Sequence, residues 1–502
     1  MNLRIKPLDD ILATAEKKSL HRSLGAFQLT MLGVGAIIGT GIFVLTAEAA
    51  QKAGPAMMIS FVIAGFVCAV TALCYAEMAS MIPVSGSAYT YSYAVLGELI
   101  AWIVGWALIL EYAIAGSTVA VGWSGYMAGL LRNLHEMVPF LPNVEIPHAW
   151  ANGPFDGGII NVPALLISLV ITWLLVLGTK ESAYVNSILV SIKVVALVAF
   201  IVLAIPVMRL DHFYPFAPNG YVVNPFASDL PKVGVSAAAA SIFFAYVGFD
   251  AVSTAAEETK NPNRNIPIGL IGSLLICTVF YLLVAAGAIG SVGAQPMSGP
   301  QGQVLEPGSV ELAAACQGLH QLVCSKEPLA YVLRELHFPN VGNLIGLAAG
   351  IALPSVILMM VFGQTRIFFV MARDGLLPGV FATIHPKYRT PHIVTICTGL
   401  FVSFFAALFP VGKLADISNS GTLFAFLVVA AGVMILRVRD PGRKRTFRTP
   451  WVWVMGPLAI LGCIFLFSQL SLYTEVLFIS WTAFGLLLYY GYGYRKSHHA
   501  RD

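Results

Sequence analysis

The chain has 502 residues, 58% of them hydrophobic and only 11% charged, with a net charge of +4 and a mean hydropathy of +0.80. An average soluble protein has about a quarter charged residues, so a soluble enzyme, a disordered chain and a nucleic-acid binder are all excluded. Twelve membrane spans of about 20 residues need about 240 apolar residues, and about 290 are present.

The first 24 residues are polar, with charges at Arg4, Lys6, Asp9, Asp10, Glu16, Lys17, Lys18 and Arg22, and do not read as a cleavable signal peptide. Apolar runs then recur at 25–46, 55–78, 97–131, 159–178, 187–207, 233–256, 266–293, 344–371, 393–410, 415–437, 453–472 and 476–494. Twelve runs put both termini on one side. If that side is the cytoplasm, 21 Lys and Arg lie inside and 7 outside, as the positive-inside rule expects. The remaining basic residue, Lys193, falls in the middle of a span. The long polar stretches, 132–158, 208–232 and 294–343, are then outer loops, the last with a helix-like segment from Pro328 to His337. Five of seven cysteines lie in apolar runs. Cys316 and Cys324 share the last loop, where an oxidising compartment would allow a disulfide. No metal-ligand spacing occurs, and no cofactor is expected.

Two spans are interrupted. The first reads Gly33-Val-Gly35-Ala-Ile-Ile-Gly39-Thr40-Gly41-Ile-Phe43. Each glycine costs roughly 1 kcal/mol against Ala in a helix, so the stretch is poised to unwind. Backbone N–H groups freed by unwinding cannot stay unpaired in hydrocarbon, and a carboxylate would satisfy them. Close helix packing through small residues is the competing reading, because Gly35 and Gly39 also form a G-x-x-x-G pair. The sixth span reads Phe243-Phe244-Ala245-Tyr246-Val247-Gly248-Phe249-Asp250, with a glycine followed by an acid at membrane depth. Breaks at corresponding places in two five-helix halves fit an inverted repeat with its ligand at the interface. Freed amides suit a carboxylate and freed carbonyls an ammonium, so the natural ligand is a zwitterion such as an α-amino acid.

These segments resemble signatures of one family. G-A-I-I-G-T-G-I-F at 35–43 is similar to the first-helix signature of the amino acid–polyamine–organocation superfamily. F-F-A-Y-V-G-F-D at 243–250 and A-E-E-T-K-N-P-N-R-N-I-P at 256–267 resemble the sixth helix and following loop of its cationic amino acid transporter branch. G-Q-T-R at 363–366, M-A-R-D-G-L-L-P at 371–378 and G-W-A-L-I-L-E-Y at 105–112 resemble that branch's eighth and third helices. The resemblance implies an all-α polytopic membrane protein with a LeuT-like 5+5 inverted repeat and two peripheral helices. The expected organisation is a cytoplasmic segment at 1–24, a first repeat at 25–207 and an outer loop at 208–232. A second repeat at 233–437 contains the 294–343 loop, and two further helices at 438–494 precede a cytoplasmic tail at 495–502.

The resemblance also implies that Gly39, Thr40 and Gly41 hold the substrate carboxylate, while carbonyls near Ile38, Phe244 and Ala245 meet the amine and Gly248 marks the second break. Phe244 matches the family's aromatic gate, against an ordinary packed aromatic. Lys193 is too central to snorkel, and a charge there costs about 2.5–3.5 kcal/mol. In the resembling transporters a fifth-helix lysine takes the place of a sodium ion beside the first-helix break, so Lys193 is the expected proton-coupling residue, with a structural counter-charge as the alternative. Glu111 and Asp250 are further candidates for proton coupling, for pairing with Lys193 or for contact with a cationic side chain. Glu77 and Glu475 are expected to mark interfaces, and Glu257 and Glu258 a solvated helix end. Arg366, Arg373 and Asp374 are either an inner-gate network or positive-inside anchors.

The function expected is secondary transport of an L-amino acid across the cell membrane by alternating access, coupled to protons. The mostly apolar eighth-span stretch Gly350–Ser355 favours small or neutral substrates. Lys or Arg transport, or exchange, is the alternative, and a channel or sensor a remote one. A membrane enzyme lacks a nucleophile–base set, and a single-span accessory subunit occurs with some superfamily members.

Overall fold

The computed structural model describes residues 24–82, 87–178, 183–222, 232–255, 259–300 and 302–497. Glu257, Glu258 and most of the N-terminal segment lie outside the described residues. The described chain is helical apart from two isolated β-bridges, Leu24 with Thr259 and Ser298 with Val304.

The first apolar run forms α1 (Ala26–Ile37) and α2 (Leu45–Ala53) rather than one helix. Then come α3 (Met57–Met81), α4 (Glu98–Arg132), α5 (Val162–Leu177) and α6 (Ala183–Ala204). The sixth run opens with α7 (Val235–Ile242) and is followed by α8 (Pro262–Val292), α9 (Pro339–Arg373) and α10 (His392–Leu408). Finally α11 (Val411–Arg439), α12 (Val452–Ser468) and α13 (Leu472–Leu488) complete the fold. Starts and stops follow local chemistry. The Asn161 side chain accepts from the Ala164 amide at 3.1 Å and caps α5. Pro262 and Pro339 open α8 and α9, where a missing N–H costs nothing.

Seven helical segments among the described residues are long and apolar enough to cross a membrane, and five apolar helices are shorter. The halved spans account for two of the short ones, Ala26–Ile37 and Val235–Tyr246. Helix α4 is central, with 78% of its apolar window buried, whereas the last long segment, Leu472–Lys496, has 22% buried and stands at the periphery. Exposed apolar side chains such as Leu461, Ile479 and Leu487 suit contact with lipid, where backbone polar groups are satisfied within each helix. Such an assembly is a polytopic membrane protein.

The 294–343 loop is structured. It carries helices Val310–Ala315 and Pro328–Glu335, and the Cys316–Cys324 disulfide, left open by the sequence, is formed. Lys326 donates to Asn152 and Asp156, tying this loop to the 132–158 loop, and within it Arg334 makes a two-pronged pair with Glu327 at 2.7 and 3.1 Å.

Candidate functional site

Helix α1 stops at Ile37. Ile38 is extended (φ −70°, ψ 98°), Gly39 has φ −150° and ψ −147°, and a single turn, Thr40–Phe43, follows before α2 restarts at Leu45. The unwinding is shorter than the glycine run suggests, because Gly33 and Gly35 stay inside α1. An added Cβ at Gly33 would lie 2.5 Å from Ser273 Oγ, and at Gly35 2.3 Å from Val190 Cγ2. Those two glycines, and Gly41 against Ala245 at 2.2 Å, let neighbouring elements approach. Gly39 differs, since its added Cβ would meet nothing nearer than Val356 at 3.7 Å. Packing explains three of the four glycines, whereas at Gly39 an added Cβ would make only ordinary contact with Val356.

The second break runs through the tight turn Phe243–Tyr246, an extended Val247 and Gly248 at φ +117°. That φ belongs to glycine, and an added Cβ would sit 2.8 Å from the Ala36 carbonyl oxygen. The two interrupted spans therefore touch twice, Gly41 on Ala245 and Gly248 on Ala36. Buried Ile38, Gly39, Thr40, Gly41, Phe244, Ala245 and Gly248 lie on these contacting segments.

The polar groups at the junction divide into satisfied and unsatisfied sets. Among the described residues, no carbonyl accepts from the amides of Gly39, Thr40 or Gly41. The Thr40 hydroxyl, in a residue 1% exposed, also has no hydrogen-bond partner. Buried donors of this kind are costly without an acceptor. The carbonyls on the other side are partly supplied. Lys193 Nζ donates to the Gly35 carbonyl at 2.9 Å, so the mid-span lysine reaches the last turn of α1 beside the break. Tyr281 Oη on α8 lies 3.0 Å from the Ile37 carbonyl and 2.7 Å from that of Ala245, sharing its proton between the two breaks. Tyr126 Oη donates to the Phe43 carbonyl at 2.6 Å.

Tyr281 and Tyr126 were not singled out by sequence. A tyrosine in an apolar run reads as a packed ring, and only its length of reach across the bundle makes it a backbone donor. Asn419 is a similar case, donating to the Ala240 carbonyl of α7 at 2.8 Å.

The acids have different partners. Asp250 accepts from Tyr112 at 3.2 Å, while its own carbonyl accepts from the Ser253 hydroxyl and amide. Glu111 is 1% exposed and lies against Gly421 of α11, and one of its carboxylate oxygens has no partner among the described residues. Glu77 is fully buried and fastened to Arg437 at 2.7 and 2.8 Å, to the Thr449 amide at 2.8 Å and to Arg445 at 3.2 Å. Glu475 pairs with Lys232 at 2.7 Å. Asp374 accepts from Tyr89 at 2.9 Å, and the Arg366 guanidinium stacks over Phe362 at 4.2 Å. A buried cluster not anticipated from sequence joins α2, α7 and α11: Lys52 donates to Ser241 at 2.5 Å and to Asp416 at 3.3 Å, and Ser241 donates to Asp416 at 2.5 Å.

Known proteins share this sequence over nearly its full length. Residues 24–492 match the model of a family described as amino acid permease. A branched-chain amino acid permease of Bacillus subtilis is 43% identical over 98% of both chains. A methylthioribose transporter of the same organism is 39% identical, again over 98% of both. A vacuolar cationic amino acid transporter of Arabidopsis thaliana is 36% identical over 84% of this chain and 64% of its own length. With two opposed broken spans at its centre, this chain is a transporter-type membrane protein that belongs to the amino acid permease family of the amino acid–polyamine–organocation superfamily.

Proposed function

We propose that the chain is a secondary active transporter of small or branched neutral L-amino acids, driven by protons and working by alternating access. The observation that carries this reading is the set of unsatisfied donors at the first break, the Gly39, Thr40 and Gly41 amides and the Thr40 hydroxyl, beside Gly39, where an added Cβ would meet no clash. A carboxylate supplies the acceptors that those donors lack. The α-ammonium then turns to the carbonyl of Ile38 and those of Phe244 and Ala245, and Phe244 covers the ligand. The side chain projects toward Val356, the nearest group to Gly39, which suits an aliphatic substituent. A cationic side chain would need an acid there, but Asp250 already accepts from Tyr112 and Glu111 lies against α11. The branched-chain name of one relative agrees with this choice. Methylthioribose, named for another, has neither carboxylate nor ammonium to answer the two sets of backbone groups.

Twelve spans in two inverted five-helix repeats with two outer helices, both termini cytoplasmic, are the arrangement we infer. The match to the family over 24–492 supports it, as does the disulfide in a loop assigned to the outside. Lys193 is the coupling residue in this scheme. Protonated, it holds the Gly35 carbonyl and braces α1, and loss of its proton releases that brace. Glu111 and Asp250 are the acids through which a proton would pass.

Uptake into proteoliposomes under an imposed pH gradient, with labelled Ala, Val, Leu, Ile, Lys, Arg and methylthioribose, tests the reading. Accumulation of the aliphatic amino acids is expected, and it should be lost in Lys193→Ala while ligand binding survives. Preferential uptake of Lys and Arg would overturn the substrate assignment. Accumulation that follows a sodium gradient and ignores pH would overturn the coupling.

A further inference from the structure

A groove of about 510 Å³ opens between the start of α8 and the segment that precedes α12. Pro267, Ile268, Ile271 and Phe447 make it apolar, and Asn263 and Arg264 stand at one end. Its apolar character continues along one side of α8, where Ile268, Leu275 and Val279 are all at least 43% exposed at helical spacing. Trp451 and Trp453, exposed by 78% and 56%, stand four and six residues beyond Phe447 and mark the level at which aromatic side chains sit between hydrocarbon and water. Below that level basic residues predominate among the described residues. Arg264, Lys260, Lys444 and Arg448 are exposed, and none of them makes an ion pair among the described residues; the nearby Asp440 is engaged by Arg443.

The occupant of such a groove must be apolar over most of its length and anionic at one end. We propose that the groove seats one anionic phospholipid, with its phosphate against Arg264 and the basic residues flanking the groove and an acyl chain along Ile268, Leu275 and Val279. Exposed cations at the membrane surface supply the complementary charge, and the apolar stripe gives the tail a path that a soluble anion would not use. The seat lies behind α1. Gly272 lines it and also faces Thr30 of α1, and Gly269 of the same turn packs on Leu29, so the stretch of α8 that forms the seat is the one that carries the half-helix leading into the first break.

Native mass spectrometry of the purified full-length protein, with phosphatidylglycerol and phosphatidylcholine of identical chains, provides the test. Each basic residue near an anionic surface contributes about fivefold in affinity, so wild type should retain phosphatidylglycerol at least fivefold over phosphatidylcholine. Arg264→Gln and Arg448→Gln should each lower that ratio toward one. Both residues are exposed and make no ion pair among the described residues, so these changes leave the fold intact. Gly272→Leu fills the groove and should reduce retention of both lipids. Equal retention of the two lipids by wild type, an undiminished ratio in the arginine variants, or displacement of phosphatidylglycerol by millimolar inorganic phosphate would each overturn the assignment.

Discussion

Gly39 and Gly41 are two positions apart, and an added methyl group meets opposite fates at them. At Gly41 it would lie 2.2 Å from the Ala245 Cα, so the backbones of the two breaks would have to separate. At Gly39 it would find ordinary contact with Val356 and stand where the proposed carboxylate would approach the backbone. Gly39→Ala should therefore keep thermal stability and lower substrate affinity at least tenfold, read by ligand-induced thermal shift and by direct binding. Gly248→Ala should behave in the reverse manner. An L-residue in the left-handed region costs about 1–2 kcal/mol, and the close Ala36 carbonyl adds to that. Its melting temperature should fall without ligand present. Unchanged affinity in Gly39→Ala would return Gly39 to the packing role of its neighbours. The sequence pattern made all four glycines equivalent, because what separates them is a partner on another helix: Ser273, Val190, Ala245 or Val356. None of these lies near the glycines in sequence, so no local spacing could rank them.

Helix α11 is held by opposite charges near both ends. Asp416 in its second turn joins Lys52 of α2 and Ser241 of α7, and Arg437 near its end joins Glu77 of α3. Both ties connect the half-helices or their neighbours to a long central helix. Glu77 has no exposed surface and also receives Arg445, which is 1% exposed in its side chain. Removing one member of a buried pair leaves the other charged and uncompensated, typically at 3–5 kcal/mol. Glu77→Ala is expected to lose about that much, Arg437→Ala less because its side chain is 19% exposed, and the double variant less than the sum of the two. A double-mutant cycle on chemical or thermal unfolding in detergent measures the coupling, and strict additivity would show that the pair contributes nothing. The apolar runs that became these helices were legible in the sequence to within a few residues, since hydropathy and length set them locally. The charge ties were not. Glu77 and Arg437 are 360 positions apart, and each alone reads as an end-of-span residue.

At the scale of the whole molecule the distribution of charge determines which way the protein faces. In the proposed twelve-span arrangement 21 Lys and Arg fall on one side and 7 on the other, which would put the termini in the cytoplasm. The disulfide gives a second reason, since the proposed arrangement puts Cys316 and Cys324 in a loop on the side poorer in basic residues, and cysteines pair in oxidising compartments. Both arguments fail together if the chain is inserted the other way. Four of the five free cysteines are buried and only Cys397 is exposed, so single introduced cysteines can be read in a Cys397→Ser background. Phe140→Cys, at a position 84% exposed in the 132–158 loop, should react with a membrane-impermeant maleimide on intact cells. Lys444→Cys should react only in inverted vesicles. The reversed pattern would place the basic face outside, and the groove beside Arg264 would then meet the outer leaflet. With the expected pattern, that groove faces the leaflet in which exposed cations and anionic headgroups coincide. Gly39 is buried in the same bundle, past the α1 segment whose Leu29 and Thr30 pack on the stretch of α8 that forms that groove.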